Sequence, residues 1–225
     1  MPAPPELLTW LQTRLGDAAL LRDGPPQIGT LALALSPGDL PPDLEADALF
    51  LHRAFRLGNA FPGLGVLASH DGFDAELTTG ANLALARRLG WTQGEVLHWR
   101  GRVLGLKATA PERGWADLQR ALEDEFGGLE ELHEPAPSPS QSSHLQTVAL
   151  INALRPDLLD FVAESGVQVC VTGQMRSAAL PRARELGLGI VALGHRRSEL
   201  RGLRQLGREL AESFPALHVR VYGEA

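Results

Sequence analysis

Cysteine is almost missing from this chain of 225 residues: Cys170 stands alone, which excludes an internal disulfide and any cysteine-built zinc site. It lies in the apolar run VQVCVTG, where a buried thiol on a strand is the ordinary reading. Lysine is as scarce, since Lys107 stands against twenty arginines among 21 basic residues, and the formal net charge is −6. That balance lacks the basic field of a non-specific nucleic-acid binder and leaves only local arginine clusters as docking points for polyanions. No apolar run reaches the roughly 18 residues of a membrane helix, and MPAPPELL has no basic segment followed by an apolar one, so a soluble cytoplasmic protein is expected. GxGxxG, P-loop and HExxH motifs are all lacking.

What is present is apolar and regularly spaced. A hydrophobic fraction of 44% over this length suffices for a sizeable core in one large or two small α/β domains. Apolar periodicity predicts helices over 6–15, 79–90, 115–126, 156–165, 175–186 and 198–214, with Thr79 capping the second. Short apolar runs predict strands over 31–35, 48–51, 64–68, 102–108, 147–151, 167–172, 190–193 and 217–222. This alternation argues for an α/β protein with largely parallel or mixed sheets. The proline- and serine-rich segment 133–143 (HEPAPSPSQSS) breaks every periodicity. It is taken as the linker between an N-terminal α/β lobe over 1–132 and a C-terminal α/β lobe over 144–225.

The chemistry gathers where strands end. In GIVALGHRRSE, residues 189–199, an apolar strand gives way to His195 and, four residues on, Glu199. Entry into helix would put imidazole and carboxylate on one face of its first turn, at the strand edge where parallel α/β sheets place ligands. The plainer reading is a capping histidine, with Glu199 salt-bridged near Arg196 and Arg197. Strand 48–51 likewise delivers His52 and Arg53, and strand 64–68 runs into Ser69, His70, Asp71 and Asp74. Imidazole and carboxylate together suit zinc, manganese or iron. Ser69 beside His70 is no triad, because neighbours on a strand point to opposite faces.

These motifs, in this order, resemble the Nif-three-like proteins of the NGG-interacting-factor type, known as GTP cyclohydrolase I type 2 homologues. The likeness runs from about Gly29 to Tyr222. Asp47 followed by ALFL and His52 is similar to the family's strand ending in His-His-Pro, and His70 through Asp74, with Gly80, Asn82 and Leu83, to its His-Thr-Asn-Leu-Asp segment. Val169 to Gly173 matches a strand ending in Thr-Gly, although Gln174 takes the acidic place, and Gly194, His195 and Glu199 match the final motif. The resemblance implies two similar lobes facing a central cleft, a two-metal centre there, and a homohexamer. It assigns His52, Asp74, His195 and Glu199 as metal ligands. At the fifth position stands Arg53, and a guanidinium cannot ligate a metal.

A reduced centre is therefore expected: one divalent ion per chain on His52, His195 and Glu199, with Arg53 replacing the second ion by its own charge and pairing with Asp74 or Glu199. As a hydrolase of the cyclohydrolase or amidohydrolase kind, the chain would use Asp74 or His70 as base, and Arg53 or Arg196 to hold an anionic or nucleotide-like ligand. The competing expectation is a non-catalytic oligomer on the same scaffold, a divergent paralogue. Ala178 where the family has a histidine, and Asn152 to Pro156 where it has a glycine-rich turn, favour it. Nucleic-acid binding ranks third, because the net charge argues against it.

Overall fold

Two prolines open helix α1 (Pro4–Leu15), where a missing N–H removes no hydrogen bond, and Leu7, Leu11 and Leu15 form its buried face. The computed structural model describes residues 1–111, 114–136 and 147–223. After α1 come strands β1 (Ala19–Arg22), β2 (Thr30–Ala34), β3 (Ala48–Leu51) and β4 (Gly65–Ala68), then helix α2 (Asp71–Leu77). Next are α3 (Leu83–Arg88), β5 (Thr92–Trp99), β6 (Arg102–Thr109), α4 (Trp115–Phe126), β7 (Glu131–His133), β8 (Thr147–Leu154), α5 (Leu159–Glu164), β9 (Val169–Met175), α6 (Leu180–Glu185) and β10 (Gly189–Ala192). Helix α7 (His195–Ser213) and strand β11 (His218–Val221) follow. Two units result: Met1–Leu77 with Glu199–Ala225, and Thr78–Ser198.

The first unit holds a five-stranded sheet in the order β1-β4-β3-β2-β11, parallel except for the edge strand β1. Alternate residues face opposite ways along each strand. Leu31, Leu33, Phe50 and Leu67 turn to a core closed by Leu11 of α1, Phe73 and Leu77 of α2, and Leu203, Leu206 and Leu210 of α7. Ala32, Ala34, Leu49, Leu51 and Val66 form the other face, covered by loop residues that include Leu40, Leu57 and Phe61. Each fully buried Leu or Phe contributes roughly 1.5–3 kcal/mol, so this core fixes where α2 and α7 lie. Gly202 lets those helices meet closely: a Cβ there would stand 2.8 Å from the Leu77 carbonyl oxygen.

The second unit holds a six-stranded mixed sheet, β5-β6-β8-β9-β10-β7, with β8, β9 and β10 parallel. Its central strands are apolar on both faces, the usual consequence of helices on either side. Val148, Leu150, Val169 and Val191 join the core of α3 and α4, whereas Ala149, Ile151, Cys170 and Ile190 join that of α5 and α6.

Several boundaries move from the sequence-based expectation, each for a physical reason. Asn82, not Thr79, caps the helix after residue 79: its side chain accepts from the Leu85 N–H at 2.9 Å, and α3 starts at Leu83. Thr79 instead ties two strands, donating to the Ile151 carbonyl at 3.2 Å and accepting from the Gly173 N–H at 2.9 Å. Strand β9 runs on to Met175 because Gln174 and Met175 stay in register with Ala153 and Leu154 of β8, which delays α6 to Leu180. Helix α7 begins at His195, three residues early. Within the proline- and serine-rich stretch, His133 ends β7 and residues 137–143 lie outside the described residues. No helix among the described residues is long and apolar enough to cross a membrane.

Candidate metal centre

Strand β3 is buried along its whole length and delivers His52 as its next residue, still tied to the sheet by an N–H bond of 3.2 Å to the Ala34 carbonyl. The imidazole is fully buried, and its two nitrogens have different partners. Nδ1 lies 3.3 Å from the Ser69 carbonyl, to which it can only donate. Nε2 faces Glu199 Oε1 at 3.2 Å and Asp74 Oδ1 at 3.5 Å. A proton fixed on Nδ1 leaves the Nε2 lone pair aimed at two carboxylate oxygens, an arrangement that a metal ion among them would satisfy.

Asp74 reaches this point from α2, and Glu199 from α7, where it is 1% exposed. Arg53 meets the same carboxylate as a two-pronged donor, Nη2 to Oε2 at 2.9 Å and Nη1 to Oε1 at 3.2 Å. Sequence left Asp74 and Glu199 open as its partner, and Glu199 takes the fork. Glu199 is thus salt-bridged to Arg53. The His70 ring stacks on His52 with centroids 4.7 Å apart and planes 10° from parallel, and Phe73 packs on His52 at 4.6 Å. His52, His70 and Asp74 can each offer a donor atom within 4.8 Å of the others. Their nitrogen and oxygen donors suit a divalent ion such as zinc, manganese or iron.

The turn that presents His70 and Asp74 is held from outside α2. Ser69 donates its hydroxyl to Asp17 Oδ1 and accepts the Phe73 N–H at 3.2 Å, while the His70 N–H reaches Asp17 Oδ2 at 3.2 Å. Burial acts to raise the Asp17 pKa, but hydrogen bonds from the Ser69 hydroxyl and from the Gly72, His70 and Asp71 backbone outweigh it and hold the carboxyl below its usual value. With Ser69 occupied in this way and His70 Nδ1 set on Asp71 Oδ1 at 2.8 Å, no serine–histidine pair forms.

His52, Arg53, His70, Asp74 and Glu199 therefore meet within the first unit. His195 is a residue of the second unit, where it opens α7; its carbonyl accepts from the Ser198 hydroxyl at 2.8 Å, and it lines a hollow of about 630 Å³ with Gln174, Met175, Arg196 and Arg197. Two contributions escape sequence reasoning. Asp17 lies outside every motif, and the stacking of His70, itself a strand-end candidate, on the His52 ring depends on the turn into α2, which no spacing rule reveals.

Residues 62–223 match the family model Duf34/NIF3 (NGG1p interacting factor 3). The chain belongs to the Duf34/NIF3 family. It is similar to a Pseudomonas aeruginosa protein named GTP cyclohydrolase 1 type 2 homolog, 28% identical over 158 residues, which make up 69% of this chain and 60% of that relative. The chain thus spans less than two thirds of the relative's length. A crystal structure from Thermus thermophilus is similar throughout, with a TM-score of 0.73 at 18% identity over 100% of this chain and 99% of that one. A Bacillus cereus protein described as related to NIF3 gives a TM-score of 0.72 at 14% identity over 100% and 97%. At these identities the structures show the fold alone: an α/β protein with two mixed sheets, of NIF3-like architecture.

Proposed function

We propose that this Duf34/NIF3 protein binds one divalent metal ion per chain at His52, His70 and Asp74 and acts as a metal-dependent hydrolase on an anionic, nucleotide-like substrate. One observation carries the reading: the buried His52 ring, oriented through Nδ1 by the Ser69 carbonyl, directs Nε2 at the oxygens of Asp74 and Glu199. When bound, the ion would supply a Lewis acid that polarises substrate oxygen and acidifies water. The chain's own groups do the rest. Phe73 and the stacked His70 hold the His52 ring in place, the partly exposed Asp74 is the proposed proton acceptor, and Glu199 fixes the edge of the imidazole it faces. Arg53 neutralises Glu199, the task that a second cation would otherwise perform.

The Arg53 fork also favours a second reading, an oligomeric scaffold that keeps one metal without turnover. Calorimetric titration of the metal-stripped chain with zinc or manganese tests the centre. One equivalent is expected, with His52→Ala and Asp74→Asn each weakening it at least about tenfold. Two equivalents, or none, would end the proposal. Chelator-sensitive hydrolysis of GTP and related nucleotides separates enzyme from scaffold.

A further inference from the structure

Strands β5 and β6 are joined by Arg100 and Gly101, both in the left-handed region at φ +49° and +77°. This is the backbone of a two-residue primed turn, in which asparagine followed by glycine is the favoured pair. Arginine at the first position works against that preference, because its Cβ crowds the following carbonyl. The guanidinium carbon of this costly position lies over the Trp99 indole, 4.1 Å from the ring centroid. Arg155 approaches the same ring to 5.9 Å. The antiparallel register that pairs Gly105 with Ile151 brings the end of β8 up beside this hairpin tip. Arg100, Arg102 and Arg155 then line a hollow of about 300 Å³ together with Trp99, Val103 and Leu158.

The chain carries a net charge of −6, yet here two guanidinium groups lie over one indole and a third arginine, Arg102, lines the same hollow. Among the described residues, Arg155 forms its one salt bridge with the exposed Asp157, at 3.4 Å. Among the described residues, Arg100 and Arg102 form no salt bridge and donate no side-chain hydrogen bond. A stacked guanidinium keeps its N–H edge outward, a planar fork that matches phosphate oxygens. Val103, 49% exposed, adds an apolar wall beside those forks. We propose that this hollow is a binding site for a small organic phosphate, its phosphate held by Arg100, Arg102 and Arg155 and its apolar body resting on Trp99 and Val103. All of its residues lie in the second unit, so the proposal is independent of the metal centre.

The test is titration of the full chain, with chelator present so that no metal holds phosphate, using inorganic phosphate, pyrophosphate and ATP as probes. Saturable binding is expected, tighter for pyrophosphate and ATP than for phosphate, and weakened at least about tenfold in Arg102→Gln and Arg155→Gln. Arg100→Asn is the decisive variant: it suits the turn better, so thermal stability should hold or rise while probe affinity falls. Loss of binding without loss of stability supports the site. No saturable binding by any probe, or binding unchanged in all three variants, would overturn it. So would retention of single-stranded oligonucleotide alone, or arginine-dependent self-association without probe binding, which would mark a strand-binding surface and a contact between copies respectively.

Discussion

Arg53 holds Glu199 by both ends of its carboxylate, with Nη2–Oε2 at 2.9 Å and Nη1–Oε1 at 3.2 Å. Glu199 is 1% exposed, and a carboxylate so placed needs a permanent positive neighbour. A guanidinium meets that need at every working pH, whereas a histidine at position 53 would need a proton or a metal. Replacing Arg53 by Met strands the buried charge and is expected to destabilise the unit by about 3 kcal/mol in urea unfolding at neutral pH. The double variant Arg53→Met with Glu199→Leu should recover most of that loss. Strict additivity of the two single changes would show that the pair is not coupled.

The start of α2 tolerates no side chain at Gly72. A Cβ there would lie 1.8 Å from the Leu15 carbonyl oxygen and 2.5 Å from Asp17 Oδ1, so helix and loop would have to separate. Gly72→Ala is expected to cost about 3 kcal/mol or more, and to weaken metal binding because α2 carries Asp74. Gly38→Ala is the control, since a Cβ there meets nothing within 4 Å. Its unfolding midpoint should not move.

What the sequence displays is what burial imposes on it. Strands β3 and β10 are buried at every position, so they read as unbroken apolar runs and their ends are legible. Strand β1 is four residues of half-exposed edge, and β5 carries Gly94 and a left-handed Gln93, so neither leaves a pattern of period two. Helix α2 is too short to show a helical period, and its residues read instead as the polar rim of β4. The same division holds in the site. His52, His70, Asp74 and Glu199 stand at motif positions, while the stacking of His70 on His52 and the Asp17 clamp come from the turn between β4 and α2. Thr79 looks like a cap because a threonine before an apolar period usually is one; here it joins two strands instead.

Asp17 makes the stability of this region depend on acid. Its folded pKa is below the unfolded value of about 3.9, so its contribution is complete above that value and is lost as pH falls through the lower, folded one. Asp17→Asn should therefore be less stable than the parent at neutral pH, with the gap narrowing only below about pH 4. Denaturant unfolding at a series of pH values measures this. A gap that is constant down to acid denaturation would mean that the charge of Asp17 plays no part.

Cys170 is fully buried, and burial pushes its thiol up to about 12. The thiolate is the reactive form, so native protein at neutral pH should resist alkylation by iodoacetamide. In denaturant, one adduct per chain should appear quickly by mass spectrometry. Fast labelling of the folded chain would place the thiol somewhere other than the core shared by α5 and α6.

If Arg53 substitutes for a cation, exchanging it for histidine should bring the cation back. Arg53→His keeps a nitrogen donor at position 53 but removes the fixed charge that pairs with Glu199, and it gives positions 52 and 53 the His-His pair that the sequence resemblance implies. The expected result is a rise from one zinc or manganese equivalent to two. Without metal, the variant should be less stable than the parent, because Glu199 has then lost its partner; with metal, that stability should return. Arg53→Met shares the apo defect but has no donor, so metal should not rescue it. A second equivalent in the histidine variant alone would show that Arg53 holds the place of an ion. Equal rescue of both variants would point to His52 and Asp74 as sufficient for whatever binds.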